Sequence, residues 1–259
     1  MNKEKYYESG EVISSVPIGN GIWDLHLKNR NIASCARPGQ FVSLYCRDKD
    51  RLLPRPISIC EAQPDAGIIR LVYRVAGKGT SEFSGLQKGD TVDLLGPLGN
   101  GFPMEEAEGK CAFLVGGGIG IPPMLELAKR LPGEKKIIAG YRDECFLAED
   151  LEQYGDLYIA TEDGSAGTGG NVLDCIREHD LNPDVIFACG PKPMLKALSG
   201  YAKERGIPCW ISLEERMACG IGACLACVCR TVDVDAHSRV RNARICADGP
   251  VFLSTEVEL

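Results

Sequence analysis

The residues best equipped for chemistry in this chain are five cysteines crowded near its C-terminal end: Cys219, Cys224, Cys227, Cys229 and Cys246. Four of them read C-x4-C-x2-C…C, running through Cys219-Gly220-Ile221-Gly222-Ala223-Cys224-Leu225-Ala226-Cys227 and on to Cys246. That is the spacing of plant-type 2Fe–2S centres. Two irons need four thiolates converging on one point, so the chain must wrap tightly around the inorganic sulfides. Gly220, Gly222, Ala223 and Ala226 are small enough to let it do so, and they leave backbone N–H groups free to donate to sulfur. A zinc site more often uses C-x2-C pairs, of which Cys224 and Cys227 make one. Packing or disulfides are the remaining reading. Cys229, two residues past Cys227, reads as packed rather than ligating.

A second set lies far upstream. Arg55-Pro56-Ile57-Ser58 is followed by Val72-Tyr73-Arg74 and then by Gly77-Lys78-Gly79-Thr80. A flavin diphosphate needs fixed cations, free backbone N–H groups and a small residue beside the isoalloxazine. Arg55 and Arg74 supply charge, Gly79 and Thr80 allow close backbone approach, and Ser58 is small with a hydroxyl. Each piece alone is bland: Arg-Pro is usually a strand edge and Gly-x-Gly-Thr a turn. Their co-occurrence gives them meaning.

The third set is Val115-Gly116-Gly117-Gly118-Ile119-Gly120-Ile121-Pro122-Pro123, after an apolar run and before a helical one. Gly116, Gly117, Gly118 and Gly120 at a strand-to-helix turn let a pyrophosphate approach backbone N–H groups and the positive helix end. The run departs from the usual G-x-G-x-x-G, and a tight turn without a ligand is the alternative. Cys189-Gly190-Pro191-Lys192-Pro193-Met194 ends a later strand, where such sheets bind ligands. Thr161-Glu162-Asp163-Gly164-Ser165 ends another, as a ribose or adenine contact or as a plain loop. Asp143, Glu144, Glu162 and Asp163 are candidates for a ribose hydroxyl, which leaves NADH or NADPH open. His26, His179 and His237 share no ligand-like spacing and read as surface or satisfied. No Ser/His/Asp set and no carboxylate pair is evident, so no catalytic residue is named.

These sets need three supports. Residues 1–105 read as short strands, Glu11–Val16, Ile22–Leu27, Phe41–Tyr45, Ile57–Cys60, Ile68–Val75 and Thr91–Leu95, separated by turn signals such as Asn20-Gly21 and Lys88-Gly89-Asp90. That pattern predicts a closed or nearly closed β-barrel. Over 106–211, the apolar runs Cys111–Val115, Lys136–Ala139, Leu157–Ala160 and Val185–Ala188 alternate with helical stretches. This predicts an open α/β doubly wound domain on a parallel sheet. One helix starts at Pro122-Pro123 and stops at Leu131-Pro132-Gly133, with Met124, Leu127, Ala128 and Leu131 at helical spacing. Residues 212–259 form a short Cys- and Gly-rich segment that buries too little to stand without a staple.

The chain has 259 residues, 44% apolar, with a formal charge of −7. An acidic balance argues against a nucleic-acid partner. The charged start Met1-Asn2-Lys3-Glu4-Lys5 has no apolar core of a signal peptide, and no apolar run is long enough for a membrane helix. The expectation is a soluble cytoplasmic protein. In a reducing compartment, metal or redox chemistry fits the cysteine cluster better than disulfides. Of thirteen cysteines, most of the eight scattered singly read as small core hydrophobes.

Barrel, nucleotide domain and cluster in that order resemble the ferredoxin–NADP reductase superfamily over nearly the whole chain. Within it, Arg55-Pro56-Ile57-Ser58-Ile59, Gly116–Pro123 and Cys189-Gly190-Pro191 are similar to the electron-transfer subunits of dihydroorotate dehydrogenase B. The most specific match is Ser212-Leu213-Glu214-Glu215-Arg216-Met217-Ala218-Cys219 with its loop, and the ending Cys246-Ala247-Asp248-Gly249-Pro250-Val251-Phe252 is similar to that family as well.

The resemblance implies a flavin β-barrel domain, a nucleotide-binding α/β domain and a small C-terminal 2Fe–2S cluster domain. It implies FAD held by Arg55, Pro56, Ile57, Ser58, Val72, Tyr73, Arg74, Gly79 and Thr80, and a cluster held by Cys219, Cys224, Cys227 and Cys246. NAD(H) would be exchanged in this chain. The implied partner is a separate FMN subunit oxidising dihydroorotate to orotate in pyrimidine (UMP) biosynthesis, in a heterotetramer with two copies of each chain. A rival of the same build would feed ferredoxin- or sulfide-linked NADPH chemistry. A non-redox zinc-stapled module is a third, different class.

Overall fold

The computed structural model describes residues 4–48, 50–234 and 239–259; His237 lies outside them. Six antiparallel strands close a barrel: β1 (Tyr6–Gly19), β2 (Ile22–Lys28), β3 (Phe41–Tyr45), β4 (Arg55–Gln63), β5 (Ile68–Arg74) and β6 (Thr91–Leu98). Their order around the barrel is β1-β2-β5-β4-β3-β6. Alternation decides what each strand buries. On β2, Leu25 and Leu27 enter the barrel core, joined by Val42 and Leu44 of β3 and Leu71 and Tyr73 of β5. Two short helices, α1 (Arg30–Cys35) and α2 (Lys78–Phe83), interrupt this otherwise all-β region. Neither was expected from the strand pattern. The Asn29 side chain caps α1 by accepting the N–H of Ile32 at 3.0 Å, and Thr80 Oγ1 accepts the N–H groups of Ala76 and Gly77 at the start of α2.

The next elements are β7 (Ala112–Gly117), α3 (Pro122–Arg130), β8 (Lys135–Tyr141), α4 (Ala148–Glu152), β9 (Asp156–Thr161) and β10 (Thr168–Gly169). After them come α5 (Val172–Glu178), β11 (Val185–Cys189), α6 (Lys192–Arg205) and β12 (Cys209–Ser212). The strands from β7 to β12 pair in parallel, in the order β10-β9-β8-β7-β11-β12. Both faces are covered. Leu114, Ile137 and Phe187 pack under α3, whereas Phe113, Ile138 and Ile186 pack under α5 and α6. A strand buried on both sides must be apolar throughout, and this produces the unbroken runs in the sequence.

The C-terminal segment contributes a hairpin, β13 (Val228–Arg230) and β14 (Asn242–Arg244), and a last strand, β15 (Val251–Leu253). This segment is tied to both of its neighbours. β15 pairs antiparallel with β12 and so becomes the edge of the nucleotide sheet. Phe252, Met217, Cys227 and Cys246 share one apolar cluster with Ile211 of β12 and Phe41 and Leu98 of the barrel. The reason is size: so short a segment cannot make its own core and borrows one. Burying Phe252 alone is worth on the order of 1.5–3 kcal/mol.

Candidate functional site

The loop between Cys219 and Cys227 lies against the barrel and turns on left-handed backbone at Gly220 (φ +69°), Gly222 (φ +86°) and Leu225 (φ 58°). A side chain at Gly222 would stand 2.8 Å from Ala247 Cβ, so the loop closes only with glycine there. This folding aims backbone N–H groups at sulfur. Ala223 N–H donates to Cys219 Sγ at 3.3 Å, Gly222 N–H to Cys246 Sγ at 3.1 Å, and Cys246 N–H to Cys227 Sγ at 3.4 Å. Burial opposes ionisation of Cys219, but the N–H of Ile221 and the donors of Cys224 and Ala223 outweigh it and bring that thiol to about 6.

Cys224 lies close enough to Cys219, and Cys227 to Cys246, for each to act on its neighbour's thiol, so the four come as two pairs. Among the described residues, no three His, Cys, Asp or Glu side chains gather closely enough for one ion. Two pairs suit a two-iron centre better than a single tetrahedral zinc. Cys229, on β13, packs against the apolar cluster and its thiol is pushed up by burial. All thirteen thiols are free. Cys60, Cys175, Cys189 and Cys209 are buried, and Cys35, Cys46, Cys111 and Cys145 partly so.

The second set meets at an opening in the barrel. The ladder between β4 and β5 ends at Ile59 opposite Leu71. Beyond that pair the strands part, and Pro56, Ile57 and Ser58 face Val72, Tyr73 and Arg74 across a cavity of about 530 Å³. Ile119 and the segment from Ser212 to Met217 close its far side. Tyr73 is buried, its hydroxyl has no partner, and burial raises it well above an ordinary phenol. An unpaired hydroxyl beside a cavity suits a ligand that carries acceptors. Arg55, Gly79 and Thr80 stand just outside the lining. The Arg55 guanidinium lies so close over Gly79 that a Cβ there would sit 2.4 Å from Nε. Ala76, which lines the cavity, donates its N–H to Thr80 Oγ1 at 2.9 Å.

The third set lies at the carboxyl ends of β7 and β11, where Gly116 is the register partner of Cys189. The two turns touch. A Cβ on Gly190 would be 3.1 Å from Gly117 Cα, and one on Gly120 would be 2.3 Å from the Cys189 carbonyl oxygen. Gly118, at φ +52°, faces open space. Gly117, Gly118, Pro191 and Met194 line a second cavity of about 470 Å³ with Tyr141 and Glu162. Gly116 and Gly120 serve the packing of the turn, and the Cys189 side chain is wholly buried. Gly118 faces this cavity and Ile119 the other, so one turn joins the two.

Of the four candidate acids, only Glu162 lines this second cavity. Glu144 accepts the N–H of Asn20 in the β1–β2 turn at 2.7 Å, and Asp143 accepts the N–H of Glu144 at 2.7 Å. Asp163 is held by the hydroxyl and N–H of Ser165, which keep it below the usual carboxylate range. His26 stands 3.2 Å from Asp24, and His179 lies against Tyr158 with ring centroids 5.1 Å apart.

Sequence reasoning missed two supporting residues. Arg244 donates to the Gly222 carbonyl at 3.1 Å and to both carboxylate oxygens of Asp248, clamping the loop beside Cys246. Its signal was the i,i+4 spacing to Asp248 across a ligand candidate. Glu126, 1% exposed on α3, accepts the N–H of Ala62 on β4 at 3.0 Å. A lone carboxylate on an apolar helix face was its only mark.

Residues 16–102 match the oxidoreductase FAD-binding domain family, and residues 214–258 the iron–sulfur cluster binding domain of dihydroorotate dehydrogenase B. A solved structure of an NADH-dependent reduced ferredoxin–NADP oxidoreductase superposes with a TM-score of 0.86 at 31% identity, over 96% of this chain and 89% of that one. Flavohemoglobin from Malassezia yamatoensis shares the fold at 20% identity and a TM-score of 0.65, over 78% of this chain and 57% of that one. Barrel, doubly wound sheet and cysteine loop thus define an iron–sulfur flavoprotein oxidoreductase of the ferredoxin reductase build. Among curated relatives, the dihydroorotate dehydrogenase B (NAD(+)) electron transfer subunit of Geobacillus sp. (strain WCH70) is 44% identical over 97% of this chain and 98% of its own. That of Listeria monocytogenes (serovar 1/2a) is 44% identical over 96% and 98%. The chain belongs to the family of dihydroorotate dehydrogenase B electron-transfer subunits.

Proposed function

We propose that this chain carries electrons between NAD(H) and an FMN-containing catalytic subunit that interconverts dihydroorotate and orotate in pyrimidine biosynthesis. FAD and a 2Fe–2S cluster serve as relays, in a cytoplasmic heterotetramer with two copies of each chain. The observation that carries the reading is the juxtaposition of the two cavities along the Gly118–Ile119 turn, beside a cysteine loop whose N–H groups point at sulfur. Full-length relatives at 44% identity support the partner. Among the described residues no helix is long and apolar enough to cross a membrane.

The residues fit these groups. Cys219, Cys224, Cys227 and Cys246 would hold the cluster, with their N–H donors. Pro56, Ile57, Ser58, Val72, Tyr73 and Arg74 would flank the flavin ring and its chain, with Arg55, Gly79 and Thr80 beside the diphosphate. Gly117, Gly118, Cys189, Gly190 and Pro191 would shape the nicotinamide nucleotide site, with Gly116 and Gly120 holding the turn. Glu162 would accept ribose hydroxyls. When bound, the nicotinamide exchanges two electrons as hydride, the cluster passes one at a time, and FAD can do both. The protein's share is position, exclusion of water and tuning, so no side-chain acid or base is required. Residues 1–105, 106–211 and 212–259 are the units we assign to these tasks.

The test is reduction of NAD(+) by dihydroorotate, catalysed anaerobically by this chain mixed with its catalytic subunit. Failure, together with NADPH-dependent ferredoxin reduction, would replace this reading with the second one, which the likeness to the ferredoxin–NADP oxidoreductase favours.

A further inference from the structure

Strand β3 sends alternate side chains to opposite sides. Val42 and Leu44 enter the barrel core, so Phe41, Ser43 and Tyr45 share the outer face. Phe41 lines the cavity beside Pro56 and Ser58. Tyr45, at the other end, packs edge-on against Tyr7 with ring centroids 5.3 Å apart. Ser43 stands between them.

This serine is out of character with its surroundings. It is 0% exposed, and its hydroxyl has no hydrogen-bond partner. Phe41 and Leu98, beside it on the barrel surface, belong to one apolar cluster with Met217, Cys227 and Cys246. A hydroxyl left unpaired in such a wall bears the full desolvation penalty, and alanine would fill the place without it. The hydroxyl therefore answers to something that arrives at the cysteine loop. A Cβ on Gly220, the residue after Cys219, would stand 3.0 Å from Ser43 Oγ and 3.2 Å from Leu98 Cδ1. The loop is thus laid directly over this side chain. Ser43 takes no part in lining the flavin-side cavity, from which its strand neighbour Phe41 and its register partner Pro56 divide it.

We propose that Ser43 is a positioning residue of the iron–sulfur centre: its hydroxyl donates a hydrogen bond to a sulfur of the cluster held by Cys219. The inference rests on the cluster assignment above. A donor to sulfur withdraws charge and favours the reduced, more negative state, so it raises the reduction potential. The same bond fixes the cluster against the wall that separates it from the flavin cavity.

The experiment is an EPR-monitored redox titration of the holo complex, comparing wild type with Ser43→Ala and Ser43→Thr. We expect Ser43→Ala to shift the one-electron equilibrium of the cluster up to tenfold towards the oxidised state, about 59 mV at the full tenfold, while the FAD potential stays put. Ser43→Thr, which keeps the hydroxyl, should restore the wild-type value. Resonance Raman iron–sulfur bands should shift in D2O for wild type and not for Ser43→Ala. A cluster potential unmoved by Ser43→Ala overturns the proposal, as does equal movement of both potentials. So does an alanine variant that fails to load the cluster, because that would make the role structural. Wild-type protein without a 2Fe–2S signal would defeat the cluster assignment itself, a different and recognisable failure.

Discussion

Glu126 Oε2 accepts the backbone N–H of Ala62 at 3.0 Å, and this bond links the helix behind the glycine turn to the strand that carries Arg55–Ser58. Oε1 of the same carboxylate stands 2.5 Å from Arg130 Nε, an ion pair without hydrogen-bond alignment. Around it, Lys129 reaches Glu61, and Arg70 on β5 bridges Asp24 of β2 and Asp150 of α4. Barrel and nucleotide sheet are thereby locked in one orientation. Glu126→Ala leaves a buried N–H unpaired and should destabilise the protein by about 1–3 kcal/mol. Glu126→Gln keeps an acceptor and should lose less. Chemical denaturation of both variants measures the difference.

The Arg70 network also predicts an acid limit. Burial alone would raise Asp24, but hydrogen bonds from His26 and Arg70 outweigh it and lower its pKa. A carboxylate lowered on folding stabilises above its unfolded pKa, about 3.9, and that stability is lost as pH falls through the lower folded value. Thermal melts should therefore drop more steeply below about pH 4 in wild type than in Asp24→Asn, which starts lower at neutral pH. Parallel curves would refute the assignment.

Tyr73→Phe removes a hydroxyl that has no partner in the protein. Stability of the FAD-free chain should be unchanged or slightly higher. FAD affinity should fall about three- to tenfold, as for the loss of one neutral hydrogen bond. Thermal denaturation of the FAD-free chain reads the first, and flavin fluorescence on titration the second.

Cys224→Ser should abolish the broad visible absorption of the cluster while NADH still bleaches the flavin. Cys229→Ser should leave both intact, because Cys229 packs on the apolar cluster. Absorption spectra of the two variants separate ligand from neighbour, and a lost cluster in Cys229→Ser would reverse the assignment.

Glu162→Gln should raise the KM for NADH severalfold with kcat little changed, and narrow the preference over NADPH. Steady-state kinetics with both nucleotides checks it. An unchanged KM would return the ribose contact to the other acids.

The order of the architecture was readable in the chain because it rests on local patterns. Alternation with Asn20-Gly21 and Lys88-Gly89 turns belongs to antiparallel strands, and unbroken apolar runs such as Val185–Ala188 belong to a sheet covered on both faces. The spacing Cys219, Cys224, Cys227 and Cys246 announced its chemistry because a tight loop around a cluster is a local object.

What only the tertiary structure decided is every relation between distant segments. Periodicity describes one element at a time, so it could not show that β15 would complete the sheet edge beside β12. Nor could it show that, of the four acids, Glu162 is the one lining the second cavity, since that depends on which carboxylates the folded loops have already claimed. Glu126 and Ser43 lay hidden for the same reason. A polar side chain in an apolar run acquires its meaning from the partner across the interface, and that partner is fixed by packing, not by spacing along the chain.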